Sequence, residues 1–96
     1  MRAYELVFIV SPDLDQTATQ EIVDKVKDWI TGEGGKIEKE EDWGRKKFSY
    51  MIRSHKEGQY FLFQVEMPPS FVATLERNLR LQEPILRYLI TVQEEE

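Results

Sequence analysis

A chain of 96 residues sits near the low end of the single-domain range of about 50 to 250, so one domain over 1–96 is expected, ending in an acidic tail at 93–96. With 41% hydrophobic and 32% charged residues, it has apolar material for a modest core and too many charges for a membrane span. The lack of Cys excludes disulfides, thiolate metal sites and a cysteine nucleophile, and a lone His55 excludes any two-His metal motif.

Met1 to Leu6 opens into a strand pattern without the roughly 7 to 15 residue apolar run of a signal peptide, so the cytoplasm is the expected compartment. From Ala3 to Val10, Tyr4, Leu6, Phe8 and Val10 alternate with Ala3, Glu5, Val7 and Ile9, the pattern of a central strand buried on one face. Ser11-Pro12-Asp13 signals a turn. A helix follows, capped either by Thr17 with Gln20 or by Asp15, and Ala18, Ile22, Val26, Trp29 and Ile30 recur on one side of it. Gly32, Gly34 and Gly35 end that helix.

Lys36 to about Arg53 reads as a long polar edge strand, with Gly44 as a bulge or bend. Ser54 to Gly58 reads as its hairpin connection. Tyr60 to Met67 then alternates, with Phe61, Phe63, Val65 and Met67 facing the core against Tyr60, Leu62, Gln64 and Glu66. Pro68-Pro69-Ser70 breaks the strand and starts a helix with Phe71, Val72, Leu75 and Leu79 as its apolar stripe. A last strand, Ile85 to Val92, puts Leu86, Tyr88, Ile90 and Val92 on one side and Arg87, Leu89 and Thr91 on the other.

The order βαββαβ with short, right-handed connections places both helices on one face of a four-stranded antiparallel sheet, an α+β ferredoxin-like arrangement. Its open face would carry Glu5, Val7, Ile9, Tyr60, Leu62, Gln64, Arg87 and Leu89. A sheet face that is half apolar suits a protein partner, with Val7, Ile9, Tyr60, Leu62 and Leu89 as the expected contacts.

The net charge of −5 argues against nucleic acid until its distribution is read. Residues 1–42 hold five cations against eleven acids, and residues 57–96 hold three against seven. Between them Trp43 to Lys56 has Arg45, Lys46, Lys47, Arg53 and Lys56, interleaved with Phe48 and Tyr50, and no acid. Such a run either protects a sheet edge or meets phosphates.

Catalysis finds little support. Asp13 and Asp15 sit in a turn before a helix, where capping explains them, and His55 reads as an exposed loop residue. Gly32-Glu33-Gly34-Gly35 follows a helix instead of preceding one, so it offers no amide cradle to a phosphate. Acylphosphatases share the topology, but their phosphate loop would fall on the acidic Ser11 to Asp15 connection. No enzyme, cofactor or metal site is expected. Gly58 to Phe63 is superficially similar to the aromatic third-strand signature of RNA-recognition motifs, yet only Tyr60 faces outward there.

Met1-Arg2-Ala3-Tyr4-Glu5, Pro12-Asp13-Leu14-Asp15, the run from Asp42-Trp43-Gly44-Arg45-Lys46-Lys47 to Tyr50-Met51-Ile52, Gly58-Gln59-Tyr60, Asn78 to Leu81 and Ile85 to Tyr88 together resemble the bacterial small-subunit ribosomal protein six family. The resemblance covers nearly the whole chain. It implies a non-catalytic protein that binds the central domain of small-subunit ribosomal RNA together with the eighteenth small-subunit protein. By matching positions it implies phosphate contacts at Arg2, Arg45, Lys46 and Lys47. Arg53 and Lys56, from the same basic run, join them as candidates, and Arg80 and Arg87 are left for RNA or for the partner. The competing expectation is a ferredoxin-like regulatory or oligomerisation module without RNA.

Overall fold

The computed structural model describes residues 1–93, so the Glu94 to Glu96 end of the expected tail lies outside the described residues. Alternating apolar residues make the first strand, β1 (Arg2–Val10), whose Tyr4, Leu6, Phe8 and Val10 are all buried. Helix α1 (Gln16–Gly32) follows, and its cap is Asp15 rather than Thr17. The Asp15 carboxylate accepts the Ala18 N–H at 2.8 Å, satisfying an amide that no helical carbonyl can reach. Next come the long strand β2 (Lys36–Ile52) and strand β3 (His55–Met67). One 3₁₀ turn at Pro69–Phe71 leads into α2 (Val72–Leu81), and β4 (Ile85–Val92) completes the βαββαβ order.

The sheet order is β2-β3-β1-β4 and every pairing is antiparallel. One core joins Leu6 and Phe8 of β1, Phe61 and Phe63 of β3, Val26 and Ile30 of α1, and Leu75 and Leu79 of α2, so both helices cover the same side. Phe8 is its pivot. Its ring stacks on Phe61 at 5.3 Å between centroids and meets Phe63 edge-on at 5.3 Å, both favourable aromatic geometries. Among the described residues no buried side-chain polar atom lacks a partner.

Two local features depart from the simple alternation. Val10 pairs with Ile85 while Ile9 pairs with Arg87, which leaves Leu86 as the extra residue of a bulge. Ile85 rather than Leu86 therefore takes the core position beside Val10, because one inserted residue reverses the facing of everything before it. The β2–β3 connection is also shorter than Ser54 to Gly58. It is the pair Arg53 and Ser54, with φ of 48° and 66°. Positive φ at both central residues gives the turn the twist that antiparallel neighbours need, and β3 then starts at His55.

Leu75 is fully buried where α2 meets the sheet. Replacing it by Ala is expected to cost about 2 to 5 kcal/mol, as lost burial plus a residual cavity. Denaturant unfolding of Leu75→Ala against the parent chain checks this, with an unchanged midpoint as the contrary result.

Candidate nucleic-acid interface

Strand β1 ends its pairing with β3 at Val10 and Gln59. Beyond that point β2 and β3 continue alone, so Lys46 to Gly58 is a two-stranded arm projecting past β1. The arm carries the acid-free part of the sequence. Within it Lys47 pairs with Glu57 and Ile52 with His55, so Phe48 to Met51 stand opposite Lys56 alone and bow outward. That bow leaves Tyr50 82% exposed.

Several contacts anchor the arm. At its base, Arg45 donates to the Pro12 carbonyl at 3.0 Å and to the Glu57 carboxylate at 3.2 Å. Near its tip, Arg53 reaches the Glu83 carbonyl at 3.4 Å. His55 is half-buried and not a free loop residue: Nδ1 lies 2.9 Å from the Arg53 carbonyl, and Nε2 lies 3.4 Å from Ser11 Oγ and 3.1 Å from Asp13 Oδ2. The order of residues does not show this, because Ser11 and Asp13 come to His55 only through sheet pairing. Gly58 packs closest of all. A Cβ there would lie 2.5 Å from Ile9 Cγ2 and 2.9 Å from Phe48 Cζ, so only glycine lets the arm lie against β1.

The cations of the arm are unequal. Arg45 is committed to Glu57 and Pro12, whereas among the described residues Lys46, Lys47, Arg53 and Lys56 have no carboxylate within salt-bridge reach. Elsewhere Lys27, Lys36 and Lys39 each pair with a glutamate, at 2.6, 3.5 and 3.0 Å. Three further candidates lie outside the acid-free run. Arg2 pairs with Met67 at the opposite end of β1, Arg80 lies in the last turn of α2, and Arg87 lies beside Ile9 on the open face.

On that open face Val7, Ile9, Ile52, Tyr60, Arg87 and Leu89 help line a shallow cleft of about 260 Å³. Ile52, from the arm, was not among the expected face residues, because only the bowed hairpin brings it over β1. The expected contacts Ile9 and Leu62 belong to this face but are each only 6% exposed. Leu62 is hemmed in by Val7 on β1 and Glu41 on β2, and Ile9 by Tyr60 on β3 and Arg87 on β4. They are a second, smaller apolar layer of the isolated chain, whereas Leu89 is 63% exposed and free for a partner. Among the described residues no three potential metal ligands come together.

Residues 3–92 match the family model for ribosomal protein S6. The chain belongs to the ribosomal protein S6 family. Small ribosomal subunit protein bS6 of Moorella thermoacetica is 41% identical over 96 residues, covering 100% of this chain and 98% of that one. The bS6 protein of Halalkalibacterium halodurans is 34% identical over 95 residues, covering 99% and 100%. A crystal structure of 30S ribosomal protein S6 from Thermotoga maritima superposes with a TM-score of 0.91 at 30% identity, covering 96% of this chain and 87% of that one. S6 proteins are structural, non-enzymatic components of the small ribosomal subunit, and the four-stranded sheet with two helices is their fold. No helix among the described residues is long and apolar enough to cross a membrane.

In this S6-family chain the two kinds of open-face residue separate experimentally. Leu62→Asp places an unpaired charge in a nearly closed apolar site and is expected to lower stability by several kcal/mol, about 2 or more. Leu89→Asp is expected to change stability by less than about 0.5 kcal/mol. Thermal and denaturant unfolding of both variants checks the contrast, and equal losses would contradict the burial difference.

Proposed function

We propose that this chain is built into the small ribosomal subunit by binding the central domain of its ribosomal RNA together with the eighteenth small-subunit protein. The observation that carries the RNA half is the projecting arm, where Lys46, Lys47, Arg53 and Lys56 lie together with no carboxylate neutralising them among the described residues. Phosphate contacts dominate RNA affinity, and only cations free of internal pairing are fully available for them. Arg45 also holds the arm to the Pro12 loop, so its guanidinium is shared between that carbonyl, Glu57 and a phosphate contact.

The partner half rests on the open face. Val7, Tyr60 and Leu89 offer apolar contact, and Arg87 places a positive charge at the rim of the cleft. Ile9 and Leu62 support that surface from beneath. A chain of net charge −5 gains from a basic partner, because such a protein supplies phosphate neutralisation that this chain's overall charge does not. Arg2, at the opposite end of β1 from the arm, would serve a separate stretch of RNA or the partner, and Arg80, in the last turn of α2 just before the Glu83 carbonyl that Arg53 reaches, would serve RNA beside the arm or the partner.

Binding of a central-domain RNA fragment, with and without the eighteenth protein, tests the whole reading. Joint reversal of Lys46, Lys47 and Lys56 to Glu in the partner-bound complex is expected to weaken binding and to flatten the log-log salt slope by up to about one unit for each phosphate no longer neutralised. Unchanged affinity and slope would return these lysines to the role of protecting a sheet edge.

A further inference from the structure

Trp43 stands at an irregularity of β2. Asp42 pairs with Phe61 and Gly44 with Tyr60, so Trp43 is the extra residue of a bulge on an edge strand. The bulge is well tied. Gly44 takes φ of 75°, its N–H donates to Asp42 Oδ1 at 2.8 Å, and Gln59 Nε2 donates to the same oxygen at 2.8 Å. The indole is tied as well: its N–H donates to Glu41 Oε2 at 2.8 Å, and the Lys46 ammonium lies 5.3 Å from its ring centroid. Lys39 holds the other Glu41 oxygen at 3.0 Å. The Trp43 hydrogen bond first, and Lys39 second, hold the Glu41 carboxyl below its ordinary pKa, so this anchor stays ionised.

Despite these ties Trp43 is 43% exposed and outside the core cluster. Folding thus orients a large flat aromatic side chain and leaves the residue partly in water, which forgoes apolar burial. A fixed, exposed ring beside free cations is the combination that binds unpaired bases, with stacking on the ring and phosphates on the lysines. Glu41 and Asp42 flank it and repel phosphate, so what meets the ring is a base and not the backbone. Trp43 also lies on the edge strand β2, separated by both β3 and β1 from the opposite edge strand β4, which carries Leu89.

We propose that Trp43 is a pre-organised stacking platform for one unpaired base of the RNA whose backbone runs along Lys46 and the arm. The proposal rests on the RNA-binding reading above and adds a base contact that charge alone does not supply.

The test uses the complex with the partner protein and a central-domain RNA fragment. Trp43→Ala is expected to weaken RNA binding by about 10- to 100-fold, the range for removal of one base stack. The salt slope should stay unchanged, since no phosphate contact is removed, and Trp43→Phe should recover most of the affinity. Unfolding midpoints of both variants establish that the comparison is between folded proteins. A second readout uses 5-fluorotryptophan in this chain alone, with Trp29→Phe leaving Trp43 as its sole tryptophan. Its ¹⁹F resonance should move when RNA is added and not when the partner is added. Unchanged affinity in folded Trp43→Ala, a flattened slope, or a resonance that moves with the partner alone would overturn the proposal; the last would assign Trp43 to the protein contact. If the parent complex itself does not bind the fragment, it is the RNA-binding reading that fails, and the stacking proposal falls with it.

Discussion

The aromatic contact of Phe8 with Phe61 and Phe63 joins the two innermost strands of the sheet beneath both helices, and the rest of the molecule is arranged around that closure. Because side chains alternate along a strand, committing Tyr4, Leu6, Phe8 and Val10 of β1 to the helices sends Val7 and Ile9 to the other side. With both helices on one face, no helix among the described residues covers that second side, and only the bowed arm overlies part of it through Ile52. The open face is thus the geometric complement of the core, and its character follows from how many apolar residues the strands place there.

The arm depends on a different balance. A two-stranded ribbon alone is marginal in water, since each strand has one side without a partner. Here the ribbon is held by a glycine that allows contact with Ile9, by Arg45 on the Pro12 carbonyl, and by His55 against Ser11 and Asp13. These contacts draw on the β1–α1 loop, which is itself linked to the α2–β4 loop through Ser11 N–H and the Pro84 carbonyl at 2.8 Å. One end of the sheet thereby becomes a support for an exposed basic element. The division of charge suits an acidic protein: glutamates elsewhere pair with Lys27, Lys36 and Lys39, and four of the five cations of the basic run stay without a carboxylate among the described residues.

A large part of this was legible in the residues themselves. Period-two alternation identified β1, β3 and the core-facing set Phe61, Phe63, Val65 and Met67, and period-three-to-four stripes identified both helices. The acid-free run from Trp43 to Lys56 stood out because charge distribution is a property of the chain and needs no fold. The family followed from motifs in the order seen here, and the model for ribosomal protein S6 covers residues 3–92.

Tertiary structure decided what alternation cannot carry. The bulge at Leu86 put Ile85 in the core position expected for Leu86, because a single extra residue inverts facing without any mark in composition. Burial of Ile9 and Leu62 on the open face came from neighbours on other strands, so an outward-pointing residue was not an exposed one. His55 became a link to Ser11 and Asp13, partners some forty residues away that only sheet pairing brings near. Among the five cations of one acid-free run, the fold tied Arg45 to a carboxylate and left the others without one among the described residues. The chain by itself determined which side chains alternate, where the charge lies and which family it joins; three-dimensional pairing alone decided which of those side chains remain free to touch anything else, because exposure and ion pairing depend on neighbours that the order of residues does not specify.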